Sequence, residues 1–513
     1  MKQVERVLDA AVSRLAEVTH DLSDADLEQP YRWRAHREGV RFALLGTYHE
    51  LRDLTVTLAG ERADQGPPLT RAQRTLAPYH VAYRDLQAVL LGVEDDVYDQ
   101  SPGPGQWSLR GVLRHIVAAE RVFFTLVHYG LARQREGLGP SHLPEGHVEQ
   151  VMGASDEFEA VVDEGSPQDL WAYYERLHRR ALAEFSDIGE KELDGPSLWW
   201  EGQELSLQYR LHRFDAHLRQ HTIQAVKALA AVGRPVTEAR QLLRDVYKAL
   251  AGVESAHIGA PGLGAGRREA LAQKIVERAR SVAAALEDAW QTVRAVQQGE
   301  AETVRQLLEA NPQAAGAVNG EGLPVIMEAV YRGHEEIAGM LLEAGPRPDI
   351  FAAAALGRLE LVKEITGRWS GYVNEVAGDG FTPLQLACYF GREEVALWLM
   401  EHGADVDARA QNSQQIQAIH AAAANGNITL LRALLAQGVD VNARQQQGFT
   451  PLHTAADRGD VAMAQLFLSH GADLHAADSA GRTALDLARE KKHEEMVAFL
   501  SERAGSRLED RTS

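Results

Sequence analysis

Apolar residues recur at three- and four-residue intervals along most of the chain before residue 290, and alternating β-branched runs are few. This period is typical of amphipathic helices. Stretches rich in Gly and Pro interrupt it, such as SPGPGQ at 101–106 and GAPGLGAG at 259–266, and such stretches favour loops. The pattern therefore predicts an all-α protein whose helices before the last third lie at about 2–20, 36–59, 73–92, 107–133, 167–187, 203–232, 236–255 and 267–298.

The last third of the chain contains an internal repeat. The segment QGFTPLHTAADRGDVAMAQLFLSHGADLHA begins at Gln447, and related segments begin at Asp379, Ala418 and Ala480. The sequence TPLH followed by a GAD turn resembles the ankyrin repeat. The resemblance implies a solenoid of about seven units over 291–503, with the first and last units as caps, because a single repeat cannot bury its apolar face.

Composition and charge exclude several classes of protein. The net charge of −20 argues against a nucleic-acid binder, which needs clustered Lys and Arg. No apolar run is long enough for a membrane helix, and the N-terminus lacks a signal-peptide pattern, so we expect a cytoplasmic protein. Cys388 is the only cysteine, which excludes an internal disulfide and a Cys-rich zinc module. We interpret it as a small buried residue of a repeat helix.

Two histidines in DAHLRQHTIQ, His217 and His221, lie four residues apart. This spacing places both on one helix face, but 20 histidines in 513 residues give about 0.8 such pairs by chance. Their position is more informative than their spacing. His221 lies on the apolar stripe of the helix and His217 borders it, so both rings should point into the bundle, where buried polar groups need partners.

A third histidine, His115, lies in the helix GQWSLRGVLRHIVAAERVFF, for which Ser108 is a candidate N-cap. Small residues such as Gly111 and Ala118 share its face and would leave room beside the ring. Three neutral imidazoles and a water form the usual open zinc or nickel arrangement. The sequence therefore offers His115, His217 and His221 as candidate metal ligands.

The helix WSLRGVLRHIVAAE together with HLRQHTIQ resembles the DinB-like four-helix bundle, over about residues 73–233. This chain matches the family pattern at seven positions, which are Trp107, Ser108, His115, Glu120, His217, His221 and Gln224. Many members have an Arg-Gly pair after the last histidine, where this chain has Thr222-Ile223. This departure leaves the three histidines intact but puts the subfamily in doubt.

The resemblance implies a divalent metal, zinc or nickel, held by His115, His217 and His221. It also implies transfer or isomerisation chemistry with a low-molecular-weight thiol such as mycothiol or bacillithiol, or else hydrolysis. We expect Gln224 to hydrogen bond to a ligand histidine. Glu120 is five residues beyond His115, about 140° around the helix, so it should not join the same metal. We interpret Trp107 as a core anchor.

The flanking segments complete the predicted domain organisation. Residues 1–72 are predicted to pack as helices on the bundle of 73–233, and 234–290 to connect it to the repeats. A second, metal-free bundle built from 1–72 together with 236–298 is the alternative. Residues 504–513 are predicted to form a disordered tail.

The sequence leaves two functions open. In the first, the bundle is a metal-dependent transferase or hydrolase, and the ankyrin arm recruits a protein partner. In the second, the metal is structural or vestigial, and the chain is an interaction scaffold. An enzyme needs a solvent-reachable metal with a pocket beside it, whereas a scaffold does not. The identity of the partner cannot be read from the fold.

Overall fold

The computed structural model describes residues 7–32, 39–65, 67–200, 203–345 and 349–509. Within these residues the regular secondary structure is helical apart from one two-stranded sheet, which confirms the predicted all-α class. Contacts divide it into two compact units, the first ending at Leu286 and the second beginning at Glu287. None of the described helices has both the length and the apolar character needed to cross a membrane.

The elements up to the end of the first unit are named here in chain order. They are α1 (Val7–Thr19), α2 (Asp24–Glu28), α3 (Arg41–Gln65), α4 (Arg71–Val89), α5 (Leu109–Arg135), α6 (His147–Met152), α7 (Ser155–Glu159), α8 (Pro167–Phe185), α9 (Glu190–Asp194), β1 (Pro196–Trp200), β2 (Gln203–Ser206), α10 (Leu207–Ala231), α11 (Glu238–Ala256) and α12 (Ala265–Gln298).

Each long helix predicted before residue 290 has a counterpart among these elements, but the chain before α10 differs from the prediction. Residues 203–206 form β2, which pairs antiparallel with β1 so that Trp199 lies opposite Glu204. The segment PSLWW has no helical period, and aromatic residues favour strands. The helix starts at Leu207 because the Ser206 side chain caps it by accepting from the Tyr209 amide. The predicted helix starts at residues 2 and 36 lie outside the described residues.

Two apolar clusters form the core of the first unit. One joins α4, α5, α8 and α10, and its largest fully buried side chains are Tyr79, Phe124, Tyr174, Phe185 and Phe214. The other joins α1, α3, α11 and α12, with Ala88 of α4 at its border. This second cluster draws on residues before 72 and after 236, as in the alternative of a second bundle. Helix α4 contacts both α10 and α11, so it lies between the two clusters.

The second unit is a succession of short helices. They are α13 (Ala301–Ala310), α14 (Val325–Tyr331), α15 (Glu335–Ala344), α16 (Ile350–Ala355), α17 (Leu359–Arg368), α18 (Pro383–Tyr389), α19 (Glu393–Glu401), α20 (Ala418–Asn425), α21 (Ile428–Ala436), α22 (Pro451–Arg458), α23 (Val461–Ser469), α24 (Ala484–Glu490) and α25 (Glu494–Glu509).

Repeat residues define where these helices begin and end. Pro451 occupies the first turn of α22, where its missing N–H costs nothing. Gly459 ends that helix at a φ of 69°, a left-handed conformation that glycine adopts readily. Cys388 is fully buried in α18, as expected, and burial raises the pKa of its thiol to about 12.

The last helix of the second unit is longer than the other repeat helices. Helix α25 continues to Glu509, and the disordered tail over 504–513 stays a prediction. The segment SERAGSRLE contains good helix formers and no proline, which accounts for the continuation. Residues 510–513 lie outside the described residues.

Candidate metal centre

Helices α5 and α10 carry the three candidate ligands. The Ser108 side chain accepts from the Gly111 amide and so fixes the start of α5, two turns before His115. On α10, His217 and His221 are one turn apart and are 8% and 5% exposed, as the apolar stripe predicted. His115 is half-buried. The two helices contact each other along the first apolar cluster, which brings the three rings together.

The ring nitrogens of the three histidines converge on one point. One nitrogen from each ring lies within 4.8 Å of the other two, and the Nε2 atoms of His115 and His217 are 3.2 Å apart. Two nitrogens bound to one zinc at its ordinary distance and tetrahedral angle are about 3.3 Å apart. The donor set and its spacing therefore fit a divalent metal. Among the described residues this is the only such group of three or more.

Gln224 has the position expected of a supporting residue. Nδ1–H of His221 donates to Gln224 Oε1 at 2.6 Å. Because the proton is on Nδ1, the Nε2 atom of His221 keeps its lone pair for a ligand. Such hydrogen bonds fix the orientation and tautomer of metal-binding histidines. His217 differs, since its buried Nδ1 has no hydrogen-bond partner among the described residues.

The site favours neutral imidazoles. Burial, together with His221, His115 and Arg213, lowers the pKa of His217 to about 3. Burial and the neighbouring His221 also lower the pKa of His115. Both shifts have the same cause, because a protonated ring would be poorly hydrated and close to other rings. A neutral imidazole is the form that binds a metal.

Two aromatic side chains lie beside the three rings, and one of them is exposed. Phe123 meets His217 edge-on, with ring centroids 5.2 Å apart. Trp107 lies 4.9 Å from His115 and 6.3 Å from His221 by the same measure. Trp107 is 49% exposed, so its interpretation as a core anchor is wrong. It lies just before the start of α5, outside the helix packing, and lines a cavity of about 280 Å³ with Val112, Gln224 and Lys227.

Glu120 has a separate place in the bundle. It is fully buried and accepts hydrogen bonds from the hydroxyls of Tyr79, at 2.5 Å, and Tyr174, at 2.9 Å. Burial raises the pKa of its carboxyl to about 8. Glu120 thus connects α5 to α4 and α8, which agrees with the expectation that it would not share the metal.

Sequence reasoning missed a second buried polar cluster. Its members lie on α1, α4, α8 and α11 and are Asp9, His80, Arg84, His178 and Glu254. His80 contacts Glu254 at 2.7 Å and His178 at 2.9 Å, while Arg84 contacts both Glu254 and Asp9. Burial alone opposes ionisation of Glu254, but Arg84 and His80 hold its pKa well below its ordinary value. No local spacing signals this cluster, because His80 and Glu254 are 174 residues apart.

Comparison with known families finds one match in the bundle and another in the repeats. The family model described as DinB superfamily matches residues 79–225. The model described as Ankyrin repeats (3 copies) matches residues 350–445 and 419–512. The three histidines fall within the first match.

The curated relatives match a short part of the chain. Ankyrin repeat and SAM domain-containing protein 6 of Mus musculus is 40% identical over 92 residues, which is 18% of this chain and 10% of that protein. Its counterpart in Danio rerio is 32% identical over 118 residues, 21% of this chain and 16% of that protein. The chain thus spans at most about a sixth of these relatives. It carries a DinB superfamily domain followed by ankyrin repeats.

Proposed function

We propose that His115, His217 and His221 bind one divalent metal ion, zinc or nickel, and that the bundle is a metal-dependent transferase, isomerase or hydrolase. The observation that carries this proposal is the 3.2 Å separation of the His115 and His217 Nε2 atoms. Two imidazole nitrogens approach this closely when they share a proton or a cation. A shared proton would satisfy only two of the three rings, whereas a cation satisfies all three.

The metal would supply Lewis acidity, which lowers the pKa of a thiol or a water at neutral pH. The chain would supply the other requirements of the reaction. Gln224 orients His221, and Phe123 excludes water from one side of His217. Trp107 and Lys227 line the cavity beside Gln224. This cavity is where a low-molecular-weight thiol and its co-substrate would bind, with Lys227 available to an anionic group.

The ankyrin repeats are the proposed protein-binding arm. Ankyrin repeats generally mediate protein–protein interactions, and stacked repeats present an extended surface suited to this role. We infer that this arm brings the bundle to a protein partner.

A non-catalytic scaffold is the second candidate. The burial of His217 and His221 favours it, because only His115 of the three rings is substantially exposed. In this case the metal would fasten α5 to α10 and take part in no reaction. The two candidates differ in whether a small molecule can reach the metal.

Cobalt spectroscopy on the full chain separates the two candidates. Co²⁺ replaces zinc in such sites and reports its ligands by visible and near-ultraviolet absorption. We expect 2-mercaptoethanol to add a sulfur-to-cobalt charge-transfer band, and ethylene glycol, its oxygen analogue, to add none. A matched control is His212→Ala, an exposed histidine on α10. A cobalt spectrum that the thiol does not change would overturn the thiol-dependent proposal and favour the scaffold.

A further inference from the structure

An aromatic groove runs along the ankyrin unit. Two cavities, of about 320 and 430 Å³, adjoin each other and share Tyr389, Gln414 and Ile416. The first also contains Tyr331 and extends from α14 to the loop before α20. The second continues as far as α22. The two cavities thus form one groove across several repeats.

Aromatic side chains from neighbouring repeats meet beside the groove. Helix α16 contacts both α14 and α18. Tyr331 on α14 packs against Phe390 after α18, with ring centroids 6.0 Å apart. Tyr331 and Tyr389 remain 37% and 49% exposed. Large exposed aromatic side chains that line one groove are typical of a binding surface.

The charge beside these rings is negative. Asp379 accepts a hydrogen bond from the Tyr331 hydroxyl at 2.6 Å. Burial and the charge of Asp379 raise the pKa of the half-buried Asp349, and burial and Asp349 raise that of Glu375. None of these three carboxylates has an ion-pair partner among the described residues, and no described Lys or Arg lines the groove. A positively charged group of a binding partner would therefore complement these three carboxylates.

The rest of the groove offers uncharged amides. Gln414, Gln446 and Gln447 are exposed on the loops before α20 and α22. The backbones of these loops are tied together, since the Gln446 amide donates to the Gln414 carbonyl at 2.9 Å. A row of amide side chains can donate to and accept from an extended peptide backbone.

We propose that this groove binds an extended segment of a partner protein and inserts one Lys or Arg side chain between Tyr331 and Tyr389, against Asp379. The aromatic faces attract the cation, and Asp379 supplies the opposite charge. The glutamine amides bind the backbone on either side of it. This inference rests on the proposed protein-binding role of the repeats and specifies the partner's chemistry.

The test is selection of a random 12-residue peptide library on the full chain, followed by affinity measurement with synthetic peptides. We expect enriched peptides to share one Lys or Arg, and its replacement by Gln to weaken binding at least tenfold. Tyr389→Ala and Asp379→Asn should each weaken binding by a similar factor, whereas Tyr389→Phe keeps the ring and should retain it. Trp369→Ala, which removes a ring that is 60% exposed outside the groove, is the matched control.

Two results would contradict the proposed binding in this groove, each in a different way. Selected peptides that lack a basic residue, or that bind Tyr389→Ala unchanged, would place recognition elsewhere and leave the protein-binding arm standing. A library without any binding peptide would count against both the groove and the arm. Neither result affects the histidine site, whose metal content is measured separately. Circular dichroism of each variant excludes unfolding as the cause of lost binding.

Discussion

Histidines do different work in the two units. In the repeats, His453 uses both ring nitrogens on its own array: Nδ1 faces Thr450, and Nε2 meets the Arg482 carbonyl at 3.1 Å. His420 does the same with Gln417 and the Ala443 carbonyl. In the bundle, the nitrogens of His115 and His217 face each other. The first arrangement is satisfied by the fold itself, whereas we propose that a cation completes the second.

Burial alone does not separate these two roles. His420 and His453 are 2% and 1% exposed, and His217 is 8% exposed. Burial lowers the pKa of His420 to about 4 and that of His217 to about 3. The difference lies in the atoms that the ring nitrogens contact. A backbone carbonyl accepts a hydrogen bond from a protonated ring nitrogen, whereas two ring nitrogens that face each other leave a lone pair that can bind a cation. The partners of a histidine are therefore more informative about its function than its burial.

The largest expected effect tests the buried ion cluster of the first unit. Glu254→Ala removes the acceptor shared by Arg84 and His80 and leaves the guanidinium buried. We expect the opening free energy of α11 to fall by about 3–5 kcal/mol, measured by amide hydrogen exchange. Asp245→Ala is the control, because its pair with Lys248 is partly exposed and should contribute less than about 1 kcal/mol. Equal losses in the two variants would contradict a buried cluster.

The next effect concerns the proton on Glu120. The native carboxyl has a pKa of about 8, so it stays protonated at pH values where the unfolded chain has lost its proton. The contribution of Glu120 to the free energy of unfolding is complete below the pKa of the unfolded chain and is lost as the pH rises towards 8. At pH 7 this loss has reached about 3 kcal/mol. Glu120→Gln is neutral throughout and should lack this loss. Urea unfolding of both proteins at pH 5 and pH 8 measures it, and a variant-to-wild-type difference that is equal at both pH values would refute it.

A smaller effect is expected in the repeats. His453→Ala leaves the buried Thr450 amide and Arg482 carbonyl without this partner, and we expect the array to lose about 2 kcal/mol of unfolding free energy. The metal content of the chain should not change. His470→Ala, at an exposed histidine of the same unit, should cost less than about 0.5 kcal/mol. A loss of metal in His453→Ala would contradict the distinction between the repeat histidines and the proposed metal ligands.

The smallest effect concerns Gln224. Its removal in Gln224→Ala frees His221 to rotate and to change tautomer, and we expect metal affinity to fall about tenfold. Competition with a chromophoric chelator measures the affinity. Gln220→Ala, an exposed glutamine on the same helix, should leave it unchanged. Equal affinities in Gln224→Ala and wild type would remove Gln224 from the site.

The sequence was sufficient where a pattern is local. The period of α10 placed His217 and His221 inward, and repeat signatures such as Thr450-Pro451 located the helices of the array. The grouping of His115 with this pair was inferred from the small residues on its helix face and from the family resemblance, since no spacing rule relates residues 102 positions apart. The structure supplies the geometry of that convergence.

The sequence was insufficient where structure depends on distant partners. The hairpin of β1 and β2 escaped notice because it is short and continues directly into α10. Trp107 was misplaced because a tryptophan beside a helix start is usually buried, and its exposure depends on a cavity formed with α10. His80, His178 and Glu254 meet only after α4, α8 and α11 have packed.

The most direct test of the central claim is the metal content of the full chain, purified without a nickel column and measured by mass spectrometry. We expect about one zinc or nickel ion per chain in wild type and in His212→Ala, and its loss in the double variant His217→Ala with His221→Ala. Absence of metal from wild type, even after incubation with each ion, would contradict the proposed site.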